Sequence, residues 1–182
     1  MHFPGVVKAL SGIDPCLGES MNTSGGLVAF SDATWRRSDA TVSYVWTVIY
    51  FMDAPTSFAS KQLKVIALSS PVVEYAATSH TCRDAVFVRK VLVDVGFSVQ
   101  HPTVLCVDNK NAIEKAYNVG VTSRTKHFVE AIHYFRHLVE HRVVVPTHVF
   151  TRHQRVDGFT KCLGKSSYRE WLRMMLPDAC FS

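Results

Sequence analysis

Two near-continuous apolar runs, each ending on an aspartate, constrain this chain more than any other feature: Leu27-Val28-Ala29-Phe30-Ser31-Asp32 and Thr103-Val104-Leu105-Cys106-Val107-Asp108. A short apolar run with no helical rhythm reads as a strand buried on both faces. Such a strand belongs to the core of the fold. Ending on a carboxylate, rather than on a turn glycine, it also carries charge to the sheet edge. Any fold for the chain must bury both runs and leave both acids at an edge.

The remaining pattern supplies the cover. Thr41 to Phe51 is rich in β-branched and aromatic residues and predicts a second strand. Asp53-Ala54-Pro55 marks a turn, and Ser57 to Lys61 returns as a third, shorter strand, giving an antiparallel meander. At Ser69-Ser70-Pro71 the pattern changes: Ser70 suits an N-cap and Pro71 the first helical position. Val73, Ala76, Ala77, Val86, Phe87, Leu92 and Val93 then recur at helical spacing towards Gly96, a plausible C-cap. This places Glu74 in the first turn of a long helix. A short helix over 111–117 and a longer one over 125–141 follow the second aspartate run. Val143 to Val145 and His148 to Phe150 form a last strand, broken or bulged near Pro146, and helices over 156–163 and 167–176 close the chain. Strands first, then alternating helix and strand, give an α/β fold in the α+β sense, with a mixed sheet flanked by helices. Residues 1–25 read as an irregular leader, 26–176 as one domain and 177–182 as a tail.

Composition excludes several classes. The chain has 182 residues, 47% of them hydrophobic and 19% charged, which suits a folded globule rather than a disordered chain. No apolar run reaches the ~18 residues of a membrane helix, and the longest, Tyr44 to Met52, contains Thr47. Met1-His2-Phe3-Pro4 lacks the basic and apolar regions of a secretory signal, so an intracellular protein, cytoplasmic or nuclear, with no membrane partner is expected. The five cysteines (Cys16, Cys82, Cys106, Cys162 and Cys180) are scattered and never spaced C-x-x-C, against a disulfide framework or structural zinc. The net charge is +5, and the segment 120–165 carries an excess of the same size: Arg124, Lys126, Arg136, Arg142, Arg152, Arg155, Lys161 and Lys165 against Glu130, Glu140 and Asp157. That suits a polyanionic partner such as nucleic acid, and equally an ordinary solvated face.

Asp32, Glu74, Asp108 and Asp157 are the residues that carry chemistry. Two stand at the ends of predicted core strands, Glu74 near a helix start and Asp157 at or near another. Brought to one sheet edge, four acids repel one another, and divalent cations held by oxygen ligands are the usual remedy. Two ions roughly 4 Å apart are the common device for hydrolysing a phosphodiester. Each acid alone reads equally as a helix cap.

The local sequences narrow this. Phe30-Ser31-Asp32-Ala33-Thr34-Trp35 resembles the "YSDADW" motif of the ribonuclease H domains of copia-type retrotransposon polyproteins. Ser60-Lys61-Gln62, then Ala67-Leu68-Ser69-Ser70 and Glu74-Tyr75, resemble "SSKKQ…VALSSTEAEY". Val107 to Ile113 is similar to "CDNQSAI", and Ser123-Arg124-Thr125-Lys126-His127 is identical to "SRTKH". His133 to Arg136 resembles "YHFIR", and Thr151, Gln154, Asp157, Thr160, Lys161 and Leu163 fall on "T..Q.AD..TKPL". The resemblance runs from about residue 26 to 176, with its motifs in order. It implies a ribonuclease H-like fold with a five-stranded mixed sheet. It also implies metal binding and catalysis at Asp32, Glu74, Asp108 and Asp157, with two Mg2+ ions (or Mn2+) and no small-molecule cofactor. The implied reaction is hydrolysis of the RNA strand of RNA–DNA hybrids during reverse transcription, with the reverse transcriptase polymerase domain as a partner. Three departures stand out: Pro71-Val72-Val73 replaces "TEA", the second strand region lacks the usual glycines, and Cys162 replaces a proline. They leave the four acids intact. An inactive nucleic-acid-binding remnant, or a nuclease of the same fold acting on DNA, are the alternatives.

Other residues carry two readings. Arg124, Lys126, His127 and Asn109 suit contacts to nucleic acid; for the cluster at Arg124 to His127, local capping and ion pairing are the structural alternative. His153 suits the auxiliary histidine that many ribonucleases H place beside their metals, with His148 as competitor and a plain loop histidine as alternative. His133, His137 and His141 form a stripe that suits either a metal or a solvated helix face. Trp35 suits stacking on nucleic acid or core packing.

Overall fold

The computed structural model describes residues 26–34, 43–63, 70–110, 113–114, 129–160 and 162–176. The two aspartate-ended runs form adjacent parallel strands, β1 (Leu27–Thr34) and β4 (Thr103–Val107), at the centre of a five-stranded sheet. Strand β2 (Ser43–Phe51) pairs antiparallel with β1, and β3 (Ala54–Leu63) pairs antiparallel with β2. On the other side β5 (Val144–His148) runs parallel to β4, completing the order β3-β2-β1-β4-β5. The sheet is mixed, as the strand pattern and the resemblance both imply.

Burial on both faces explains the unbroken apolar runs. Leu27, Ala29, Leu105 and Val107 pack on one face against α1 (Ser70–Asp94) and α2 (Val129–Glu140). Val28, Phe30, Val104 and Cys106, the alternate residues, pack on the other face with Val149, Val156 and Met175. The period of two therefore holds, with both of its phases apolar. The second face is closed by the short helix α3 (Asp157–Thr160) and by α4 (Lys165–Met175).

Helix α1 ends as expected. Gly96 takes φ 93°, its N–H donates to the Val93 carbonyl, and the Phe97 N–H donates to Leu92. That pair of bonds is a Schellman cap, and its left-handed residue favours glycine. The buried face of α1 differs from the expected one: Val73, Ala76, Ala77, Ala85, Val88 and Leu92 are buried, whereas Phe87 and Val93 are exposed.

Four further expectations need correction. Strand β3 is not short: it has 10 residues and begins at Ala54, so the turn is Met52–Asp53, with φ of 52° and 62°. A two-residue loop with both φ positive matches the twist of a hairpin, which neither residue type announces. Pro55 lies inside β3, where the register shifts beside Tyr50, and an edge strand with a bulge tolerates the missing N–H. Pro146 likewise does not break β5, the other edge strand: it pairs in register with Leu105 of β4, and Val149 and Phe150 lie beyond the strand. Finally, Glu74 is the fifth residue of α1, and no acid lies in the first turn. The leader, the short helix over 111–117 apart from residues 113–114, the start of the helix over 125–141 and the tail lie outside the described residues.

Candidate active site

The topology brings the first two acids together. Strand β1 pairs with β4 up to Phe30 and Cys106, and the same register carried two residues further arrives at Asp32 and Asp108. Both are half-buried, at the carboxyl ends of adjacent parallel strands, the edge where open α/β sheets place their ligands. Asp157 opens α3 on the same edge, where its charge and that of Asp108 both act on Asp32.

Asp32 records this crowding. Its pKa is raised from 3.8 to about 6, chiefly because burial penalises the charged form. The Ala33 N–H, donating to Oδ1 at 2.7 Å, works against the rise, as does a hydrogen bond from Thr160. The charges of Asp108 and Asp157 push it further upward. Glu74 joins through its neighbour: Asn109 Nδ2, next to Asp108, donates to Glu74 Oε2. The structure thus brings Asp108 and Asp157 within electrostatic reach of Asp32, and links Glu74 to the Asp108 end of β4 through Asn109.

The donor chemistry fits a divalent cation. Four carboxylates and no sulfur or imidazole in the set favour hard ions such as Mg2+ or Mn2+. The pKa of Asp32 is raised chiefly by burial and further by the charges of Asp108 and Asp157, a cost to the charged form that a cation would relieve. The acids are gathered but not closed into a cage: among the described residues no three His, Cys, Asp or Glu side chains are placed to hold a metal.

The other predicted residues divide. Asn109 directs its amide to Glu74. His148 ends β5 opposite Val107, the residue before Asp108, and packs edge-on against Phe150 with ring centroids 5.5 Å apart. His153 closes a 3-10 turn (Thr151–His153), its Nδ1 buried with no hydrogen-bond partner among the described residues. The His137 and His141 rings lie 4.0 Å apart, tilted at 42°, and His141 Nδ1 bonds the His137 carbonyl at 2.8 Å, so this pair is tied to its own helix. Arg124, Lys126, His127 and Trp35 lie outside the described residues.

The supports of Asp157 were not foreseen. Trp171 Nε1 donates to the Arg155 carbonyl at 2.7 Å, and the Trp171 ring meets Phe159 edge-on at 5.0 Å. Phe159 stacks in turn on Trp46, with ring planes 4° apart. A Cβ on Gly158 would run into the Trp171 indole, so only glycine fits directly after the acid. Arg155 lies over the Tyr50 ring at 4.3 Å, and the Tyr50 hydroxyl donates to the Met175 carbonyl at 3.0 Å. The spacing Thr151, Gln154, Asp157 marks this segment in the sequence, but nothing local reveals its partners.

No family model matches the sequence. The retrovirus-related Pol polyprotein from transposon RE2 of Arabidopsis thaliana is 30% identical over 159 residues, covering 85% of this chain and 11% of its own length. That from transposon RE1 of the same plant is 30% identical over 146 residues, covering 80% of this chain and 10% of its own. The chain thus spans about a tenth of the length of these relatives. Among solved structures, LC11-RNase H1, isolated from compost, overlays with a TM-score of 0.56 at 16% identity, covering 74% of this chain and 91% of that one. The N-terminal RNase H domain of a Mycobacterium tuberculosis protein overlays at 0.53 with 12% identity, covering 81% and 96%. The prototype foamy virus protease–reverse transcriptase overlays at 0.51 with 14% identity, covering 80% of this chain and 19% of that one. At these identities the overlays speak for fold alone. Sequence likeness to transposon Pol polyproteins and the fold of ribonuclease H domains thus meet in one chain, which belongs with the ribonuclease H domains of copia-type transposon Pol polyproteins.

Proposed function

We propose that this domain is a metal-dependent endonuclease that hydrolyses the RNA strand of RNA–DNA hybrids, as retrotransposon reverse transcription requires. One observation carries the reading: Asp32, two residues before the end of β1, lies under the charge of both Asp108 and Asp157. The carboxylates of Asp32, Glu74, Asp108 and Asp157 would hold two magnesium ions (or manganese), which would supply Lewis acidity for the attacking water and the leaving 3′ oxygen. The chain's own part is to hold those oxygens. The Ala33 N–H fixes Asp32 Oδ1, Thr160 adds a side-chain hydrogen bond to the same carboxylate, and Asn109 orients Glu74. Trp171, anchored on Arg155, keeps the Asp157 segment against the sheet. Selectivity for RNA would come from 2′-hydroxyl contacts across the minor groove of the hybrid. Arg124, Lys126 and His127 belong to this reading as phosphate contacts, His153 as the auxiliary histidine, and the polymerase region of the polyprotein as partner.

A second reading, a hybrid-binding remnant without cleavage, is favoured by the open arrangement of the acids. One experiment separates the two. The protein is incubated with labelled hybrid, duplex DNA and single-stranded RNA, in magnesium and in chelator. Magnesium-dependent cleavage of hybrid RNA alone, lost in Asp108→Asn, is the expected result. Binding without cleavage in magnesium or manganese supports the remnant, and cleavage of duplex DNA overturns the assigned substrate.

A further inference from the structure

We propose that Gln154 is a positioning residue for the acid cluster, a buried carboxamide that ties the segment carrying Asp157 to the strand carrying Asp32. Gln154 is fully buried, at 0% exposure. Its Nε2 donates to the Ser31 carbonyl at 3.0 Å, joining residues 123 positions apart. Ser31 adjoins Asp32 and lies one residue past the last β1–β4 pair, Phe30 with Cys106. The Gln154 amide therefore bonds a strand carbonyl just where β4 stops supplying partners. Its own carbonyl accepts from the Asp157 N–H at 3.1 Å. A single residue thus bonds main-chain groups on both sides of the site, one at Asp157 itself and one beside Asp32.

The chemistry of the side chain points the same way. Gln154 Oε1 is buried with no hydrogen-bond partner among the described residues. A half-satisfied carboxamide is costly in a core, where an apolar side chain of similar length would pack without penalty. What glutamine offers over methionine here is the Nε2 donor. Val156, at 0% exposure, packs with Val28 and Phe30 of β1, and Arg155 lies over the Phe30 ring at 5.3 Å and the Tyr50 ring at 4.3 Å, so both hold the segment down through apolar and ring contacts. Beside these contacts and the Thr160 hydrogen bond to Asp32, Gln154 supplies the main-chain tether that helps to set the distance between the two acids.

This inference rests on the proposed metal-dependent reading for its effect on cation binding, and on geometry alone for its effect on Asp157. The test uses Gln154→Met, which keeps the length and removes the donor. Two quantities are measured: manganese affinity by titration calorimetry, and hydrogen exchange at the Asp157 amide in chelator. Loss of an outer partner of a ligand usually weakens metal binding about 10- to 100-fold. A manganese affinity weaker by at least about 10-fold, with faster exchange at Asp157 and an unchanged far-ultraviolet spectrum, is expected. Unchanged exchange at Asp157 overturns the proposal, as does unchanged affinity in a protein that binds manganese. If the parent protein binds no manganese, the proposed function fails, while exchange at Asp157 still decides the role of Gln154. Should Gln154→Met not fold, Gln154→Asn keeps the amide but withdraws it from Ser31, and the same two measurements apply.

Discussion

Replacing Asp32 by asparagine should make the metal-free protein more stable while removing its activity. The structure raises the Asp32 carboxyl from 3.8 to about 6 through burial and through the charges of Asp108 and Asp157, opposed by the Ala33 N–H. In the unfolded chain it loses its proton near 3.8, in the folded chain near 6. Between these values the folded state holds more protons, so stability falls as pH rises. The penalty is absent below about 3.8 and complete above about 6. At about 1.36 kcal/mol per tenfold it amounts to about 3 kcal/mol, and solvent at the half-open edge trims this to about 1–3 kcal/mol. Asparagine keeps the Oδ1 acceptor for Ala33 without the charge. In chelator at pH 7.5, Asp32→Asn should melt about 3–10 °C above the parent protein, at about 2–4 °C per kcal/mol for a chain of this size. At pH 4.5 most of that gain should disappear, because the parent's carboxyl is then protonated. Thermal melts at the two pH values, with magnesium added in a second series, test this. A variant less stable than its parent at pH 7.5, or a gain of equal size at both pH values, would refute the account of Asp32 as a charge held at a cost in a buried, acid-crowded site. Magnesium should narrow the gap by stabilising the parent alone.

Two further outcomes probe the supports of Asp157. Gly158→Ala drives a methyl group into the Trp171 indole and should cost about 1–3 kcal/mol, read as a lower urea midpoint with an unchanged slope; an unaltered midpoint would mean that α4 yields without cost. Tyr50→Phe removes the buried hydroxyl that donates to Met175 and should cost about 1 kcal/mol in the same assay. A loss below about 0.3 kcal/mol would show that this bond adds nothing beyond what water supplies in the unfolded chain.

How much of this was legible beforehand depends on how local the signal is. The buried strands β1 and β4 announced themselves, because both phases of their alternation are apolar. Asp32 and Asp108 followed, since a carboxylate at the end of such a run stands out. The edge strand β3 was truncated in the reading because Ser57 to Lys61 alternates weakly and its outer face is wet. The hairpin between β2 and β3 is legible, but its turn lies one residue earlier than Asp53-Ala54-Pro55 suggests, because methionine rarely takes a left-handed conformation and sheet pairing imposes it on Met52. Pro146 was read as a break because the rule against proline holds for central strands, and a sequence does not say which strand is at an edge. Gln154 was legible as a motif position but not as a tether: its partner is 123 residues away, and no periodicity spans that distance.

The prolines of the two outer strands have a consequence for the molecule's neighbours. A strand edge with an unbroken row of N–H and C=O groups is a template on which another chain can zip up. Both outer strands, β3 with Pro55 and β5 with Pro146, carry a residue with no N–H to offer. Proline is tolerated there when its nitrogen faces outward, so each row has a gap. On β3 the gap lies three residues from Phe58, whose ring is 75% exposed. Substituting valine at both positions would restore the rows, and the domain should then become prone to stacking sheet upon sheet into fibrils.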